Sequence, residues 1–455
     1  MQKLRWAAVG VFFMYGGFIN PPEFAPYDGL PSPSSSRTVT GIQIVLPLTK
    51  NRLKNRTVKK ILLSAGLFCA FIVHLTAQNE LEKKLQTQFV LAEDGDVIEL
   101  PAGTISLSNT LWLDAKKNVT IRGAGQDKTI LSFKNQQQGA EGMKITNAQN
   151  IVLEQFTIED SKGDLIKTQQ VNGLEFRDLT ARWTGKPKAS NGSYALYPVQ
   201  CRNVRMERCT AIGASDAGLY IGQSDSVWVT ACVAKNNVAG IEIENTTNAW
   251  VFKNQAFDNT GGILIFDLPG LLKKQGGHVK VYDNLVARNN YKNFAPKGNI
   301  VGKVPSGTGV MILATSDVEV YNNKIWDNKT ASTVIASYFL TEIPIKDKAY
   351  NPYPSAISIH NNVYSLGKRM PTWKNKLGFL FWLKFKRNVP HILYDGIQNP
   401  AYLDADGSVK PEHRICIRSN TGGSFANLKA DKKFKGISRD VQPYNCGLEN
   451  DVSNR

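Results

Sequence analysis

The chain has 455 residues, 42% hydrophobic and 9% aromatic, which is enough to bury a sizeable core and excludes a disordered or collagen-like chain. Its formal net charge is +17; residues 1–78 hold nine Lys/Arg against Glu23 and Asp28, which leaves 46 basic and 36 acidic residues beyond them. That excess suits an anionic partner such as a uronic-acid polymer, a sulfated glycan or a phosphate-rich surface.

The chain opens on residues 1–57, read as a spurious or disordered extension, with the true start near Val58. Lys59-Lys60, the apolar run Ile61–Leu75 and the small-residue exit Thr76-Ala-Gln78 form a secretory signal over residues 58–78, too short for a membrane span. The competing reading makes Trp6–Ile19 the signal or anchor, followed by the Pro/Ser-rich linker Pro31–Ser36. Either way the expectation is an exported protein (periplasmic, cell-surface or extracellular) with no membrane span in the mature chain.

Residues 79–92 carry Leu81, Leu85 and Phe89 at helical spacing and predict a short helix that closes the open end of the fold. A repeat then takes over from 93 to 366. Asn203-Val-Arg-Met-Glu-Arg-Cys209, Ser226-Val-Trp-Val-Thr-Ala-Cys232, Asn248-Ala-Trp-Val-Phe-Lys-Asn254 and His278-Val-Lys-Val-Tyr-Asp-Asn284 are versions of one unit, and Gly218, Gly240 and Gly262 recur every 22 residues. Each unit alternates apolar and polar residues, a strand signal. A repeat this short cannot bury its own apolar face and has to stack on its neighbours. The architecture predicted is all-β, a right-handed parallel β-helix. Its inward anchors are Val119, Ile151, Leu174, Val204, Val227, Ala249, Val279, Val318 and Ile357, about nine coils and a rod roughly 43 Å long. Residues 367–455 read as a loop-rich cap. Within it Lys368–Arg387 interleaves basic and aromatic residues, the composition of a glycan-binding segment or of a cap whose aromatics pack while its lysines stay solvated.

The opening strands, Gly95-Asp-Val-Ile-Glu-Leu and Val119-Thr-Ile-Arg-Gly-Ala-Gly125, resemble those of the pectin-lyase-like superfamily, which holds polysaccharide lyases, epimerases, glycosidases and non-catalytic binders. Tyr194–Cys201, Ala214–Ser224, Ala239–Asn245, Gly261–Gly270 and Gly307–Thr315 narrow the resemblance to a family of secreted bacterial parallel β-helix repeat proteins without an assigned activity. The resemblance implies a glycan partner. It implies no particular chemistry. The Asp-Pro-His-Asp/Glu motif of the superfamily's alginate epimerases is missing; the comparable strand reads Leu219-Tyr-Ile-Gly-Gln.

Counting back from the anchors puts Tyr197, Tyr220, Glu242 and Leu264 in one outward column, with Gln200, Gln223, Asn245 and Asp267 in another. Aromatic faces meet the C–H surfaces of sugars, and amides and carboxylates meet their hydroxyls. Tyr197, Tyr220, Glu242, Glu244, Asp267 and Lys273 are therefore the candidate substrate-binding residues, and Tyr220, Glu242 and Asp267 the catalytic candidates. Loops Lys186–Ser193 and Leu268–Gly277 are expected to wall this strip. A second outward face offers Trp228 and Trp250.

Of six cysteines, Cys69 would leave with the signal, while Cys209 and Cys232 fit buried core positions. Cys416 and Cys446 are placed to form a disulfide worth about 3–4 kcal/mol. Scattered histidines and the absence of a Cys-x-x-Cys pair predict no metal, and no cofactor pattern is present, calcium included. Nucleic acid is not an expected partner. Two functions fit: an enzyme that cleaves an acidic polysaccharide by β-elimination or hydrolysis, or a non-catalytic envelope protein that binds glycan or a partner.

Overall fold

The computed structural model describes residues 80–365, 370–448 and 451. Both candidate signal segments and the N-terminal extension lie outside the described residues.

Three strands make one turn of the chain. Arg202–Glu207 and Thr210–Ile212 lie in one sheet, which we call sheet A, and Ala217–Gly222 lies in sheet B. The next turn repeats this with Asp225–Thr230, Val233–Lys235 and Ala239–Glu244. Each strand pairs in parallel with its equivalent one turn on. The pairing extends until sheet A has 19 strands and sheet B has 11. The fold is a right-handed parallel β-helix, the hand that crossover connections between parallel strands adopt.

The inward anchors form one line. Ile151 pairs with Leu174, then follow Val204, Val227, Ala249, Val279, Val318 and Ile357. A further turn extends the stack at each end: Val97–Glu99 precedes Thr120–Arg122, and Ile415–Arg418 follows Ser355–His360. The last one is hidden in the sequence because the equivalent Asn362 and Asn420 stand 58 residues apart.

Two internal asparagine ladders explain much of the repeat. The backbone N–H groups of Asn254, Asn284, Asn323 and Asn362 each donate to the side-chain oxygen of the next asparagine at 2.9–3.0 Å, ending on Asn420. Cys209 and Cys232 occupy the earlier rungs as free, buried thiols, with Cys232 N–H donating to Asn254 Oδ1. Asn237, Asn259, Asn289 and Asn328 make the second ladder. This second ladder accounts for the 22-residue glycines. A Cβ at Gly218 would lie 2.6 Å from Asn237 Nδ2, and one at Gly240 2.8 Å from Asn259 Nδ2. Only glycine fits there.

Residues 80–91 form a helix, α1, over the N-terminal end. Leu85 and Phe89 are buried on the first coil. Glu82 fastens it by accepting from the backbone N–H groups of Ser108 and Asn109 at 3.0 and 2.8 Å. Near the other end a disulfide joins Cys416 to Cys446.

Beyond the central core, a second apolar cluster lies on the outside of sheet B. Residues from the long insertions supply it: Val301 and Val304, Tyr338 and Tyr350, then Phe381 and Phe385 of helix α2 (Lys376–Phe385). Their contacts on the sheet are Ala239, Leu264, Phe266, Met311, Leu313 and Val334. The basic-aromatic segment thus serves as a cap on one side of α2, with its lysines left outside.

Candidate functional site

The outward column exists in the predicted register. Tyr220 pairs with Glu242, and Glu242 with Leu264; one coil before, Lys167 pairs with Tyr197. The structure does bring the predicted residues together, but it does not leave them facing solvent. Tyr220 and Glu244 are buried and Glu242 is 1% exposed. Val301 and Val304 of residues 291–306, an insertion that carries no strand-like alternation, share an apolar cluster with Tyr220 and form a cover here. Tyr194, Tyr197 and Tyr220 pack ring to ring at 4.4–4.9 Å. Tyr220 Oη donates to Glu244 Oε1 at 2.6 Å, and Asn299 of the cover donates to Asp216 Oδ2 at 2.7 Å.

Removal from water dominates the electrostatics here. Burial pushes the Asp216 and Glu244 carboxyls up to about 7, opposed in part by their hydrogen bonds. Glu242 is raised well above the usual carboxylate range, by burial first and then by repulsion from Asp216 and Glu244. Its Oε2 has no hydrogen-bond partner. Burial and these two neighbours thus favour the uncharged form of the Glu242 carboxyl, which the packing above leaves only 1% exposed.

Asp267 and Lys273 also differ from expectation. Both Asp267 oxygens accept the Gly276 N–H, at 2.9 and 3.0 Å, which closes the loop Leu268–Gly277 on itself. Lys273 Nζ donates to Ser224 O and Thr247 Oγ1 at 2.5 and 2.6 Å, so its charge holds a turn and does not face the strip. Burial lowers its pKa. The loop is further tied down by Asn245, whose side chain donates to Leu268 O and Lys273 O. Asp267 does border a hollow of about 560 Å³, together with Asp317, Tyr402, Glu412, His413 and Arg414. There burial raises its carboxyl to about 7.

A larger cavity, about 820 Å³, lies on the outer side of the cover. Lys292, Lys297, Lys303, Lys329 and Lys374 line it, Trp373 stands at its rim, and no carboxylate is among its lining residues. Trp373 is 68% exposed. The walls are fixed: Asn375 caps α2 by accepting from Leu377 N–H and Gly378 N–H. The same side chain donates to Lys303 O at 3.0 Å. Thr372 N–H reaches Thr330 Oγ1, and Asn293 holds Val301 O and Val304 O. On the inner side of that wall, Asn299 bonds the buried Asp216. Sequence reasoning passed over this cavity because four of its lysines come from two insertions that follow no repeat, with only Lys329 on a coil turn.

Among the described residues, Glu319, His360 and Asp451 bring ligand atoms within 4.8 Å of one another. Cations already hold both carboxylates: Lys280 Nζ lies 3.0 Å from Glu319 Oε2, and Arg418 Nη2 3.0 Å from Asp451 Oδ2. The cluster ties the C-terminal segment to sheet A as a charge-balanced network.

The right-handed β-helix region family matches residues 108–268 and 172–337, together half of the chain. The chain belongs to that family. No curated protein sequence matches this β-helix protein. Among solved structures it is similar to the mannuronan C-5 epimerase AlgE4 A-module of Azotobacter vinelandii, at 12% identity over 77% of this chain and 91% of that one, TM-score 0.49. An alginate lyase of Paenibacillus sp. str. FPU-7 gives 13% identity over 63% and 93%, TM-score 0.42. DFA-IIIase of Arthrobacter chlorophenolicus A6 in complex with DFA-III gives 11% over 70% and 87%, TM-score 0.40. Likenesses this distant transfer no activity. No described helix is long and apolar enough to cross a membrane.

Proposed function

We propose that this β-helix protein binds an acidic polysaccharide in the lysine-lined cavity. The observation that carries the reading is the set of five lysines around about 820 Å³ with no carboxylate in the lining. Five ammonium groups around one cavity, with no carboxylate in its lining, concentrate positive charge there, and an anion relieves their mutual repulsion. The α2 N-terminus adds a partial positive charge at the Asn375 end. Trp373 gives the rim a flat apolar face against which a sugar ring can lie. The superfamily resemblance supplies the polymer class, and the overall basic charge agrees with it.

The test is binding of polygalacturonate and alginate oligomers to the wild type and to a Lys303→Glu, Lys329→Glu variant. The variant should bind about tenfold or more weakly, and wild-type affinity should fall steeply with added salt. Equal affinity in the variant, or binding indifferent to salt, overturns the reading.

One observation favours catalysis as a second reading. The Asp267 hollow is lined by a carboxyl that burial raises to about 7 and by His413, Tyr402 and Arg414, residue types that can exchange a proton near neutral pH. An Asp267→Asn variant that stays folded and still depolymerises a glycan at the wild-type rate removes that reading.

A further inference from the structure

On sheet A, far from the lysine cavity in the sequence, Trp228 and Trp250 stack with centroids 5.1 Å apart and planes 9° from parallel. Trp250 covers one face of Trp228. The other face looks toward the preceding coils, where the same column holds Arg205, Glu175 and Val152. A continued stack would cover that face too. Here it stops.

Three features keep the face open. The neighbouring column alternates in charge, Arg122, Glu154, Arg177, Glu207, and it draws the first column's polar side chains sideways. Arg205 Nε donates to Glu207 Oε2 at 3.2 Å, and Arg177 Nη2 donates to Glu175 Oε2 at 3.0 Å. Val152 is too short to reach over. Gly173 then removes a side chain from a turn position that holds Asn150 one coil before and Asn203 one coil after, all three with positive φ. The outcome is a hollow of about 370 Å³ with Trp228 as its end wall and Asn150, Glu175, Asn203 and Arg205 around it.

We infer that this hollow takes one pyranose unit of a polysaccharide, stacked on the free face of Trp228. A layer of the coil is about 4.8 Å thick, and a ring stacked on an aromatic at the usual separation fills one layer. The sugar continues the Trp250–Trp228 stack where the protein's own side chains leave it. Its C–H face meets the indole, and its edge hydroxyls meet amide, carboxylate and guanidinium groups that remain partly exposed. The site rests on its own observations and stands whether or not the lysine cavity binds an acidic polymer.

Two variants test it. Trp228→Ala removes the platform. Gly173→Asn refills the turn position: the new Cβ would meet the Asn150 side-chain oxygen at 2.4 Å and the Asn150 Cα at 3.3 Å, so the Asn150 side chain has to move and its backbone to give slightly, and asparagine tolerates positive φ. Cellohexaose and hexagalacturonate are titrated while tryptophan fluorescence is followed, with melting temperature recorded for each protein. One hexasaccharide should bind the wild type and shift its emission, and both variants should bind it about tenfold or more weakly while folded. The neutral and acidic probes show which sugar class is taken. The Lys303→Glu, Lys329→Glu variant should keep the fluorescence response. Binding to the Lys303→Glu, Lys329→Glu protein that survives when Trp228→Ala or Gly173→Asn is added to it, or no response of that protein to either probe, overturns the assignment.

Discussion

One column on the outside of sheet B passes through two unlike regions. It begins Trp112, Lys144, Lys167, Tyr197 and ends Leu264, Met311, Val334, Leu393, although the parallel ladder beneath it is continuous. The first half is partly exposed, with Trp112 at 52%. The second is apolar and lies under the insertions. The coil alone is indifferent to what stands outside it, since inward residues stack in the same way in both halves. Outward residues answer to whatever covers them, and the cover begins where the insertions begin. Tyr220 and Glu242 sit at that seam, which is why a column of sugar-binding composition ends up partly sealed.

The strongest way to break this comparison is a charge in each half. Leu264→Asp buries an unpaired carboxylate under the cover and should destabilise by several kcal/mol. Lys144→Asp, in the same column of the open half, loses only an exposed cation–π contact and should cost no more than about 1 kcal/mol. Ile243→Asp, which points into the coil, sets the upper scale. Thermal melts of the three decide it. If Leu264→Asp melts with Lys144→Asp, the cover is not seated on the sheet.

A smaller effect sharpens the seam. Folding raises the pKa of the Glu242, Glu244 and Asp216 carboxyls by burial, so the folded chain holds protons that the unfolded chain has released. Stability from these groups therefore falls as pH rises from about 4 through about 7, the reverse of a salt-bridged acid. Glu242→Gln removes part of that loss. Its advantage over wild type should be near zero or negative at about pH 4–5 and grow as the pH rises towards about 9. A difference that stays flat between those limits would mean that Glu242 is solvated.

These outcomes bear on what a single sequence can show. The register from Ile151 to Ile357 was legible because each coil repeats the same inward demand, and a side-chain period of two leaves no freedom to slip. The glycines at 218, 240 and 262 were legible as a spacing, though their cause, the amide ladder beside them, was not. Membership of the outward column was legible for Tyr220 and Glu242, but their burial was not, because it depends on Val301, Val304 and Asn299 in a segment without periodicity. For Lys273 and Asp267 the contacts were not legible for a related reason: their partners, Thr247 and the Gly276 N–H, are set by a loop path that no pattern encodes. The five-lysine cavity joins four lysines of two insertions to Lys329 of a coil turn, a combination that the repeat alone does not announce.

The smallest predicted effect belongs to the open half. Lys144 Nζ lies 5.6 Å from the centre of the Trp112 ring, and the indole N–H donates to Thr146 Oγ1 at 3.0 Å, which holds the ring in place for the cation. An exposed cation–π pair of this kind is worth about 0.5–1 kcal/mol, and a desolvated one about 2 or more. A double-mutant cycle over Trp112→Ala and Lys144→Ala should return a coupling in the lower range. Because both groups are wet, the coupling should depend weakly on their neighbours and leave the melting of the covered half unchanged. A coupling of about 2 kcal/mol would place the pair in a dry environment and extend the cover over the whole column. A coupling near zero would leave Trp112 as an unpaired exposed indole, free at this end of the column to meet a ligand.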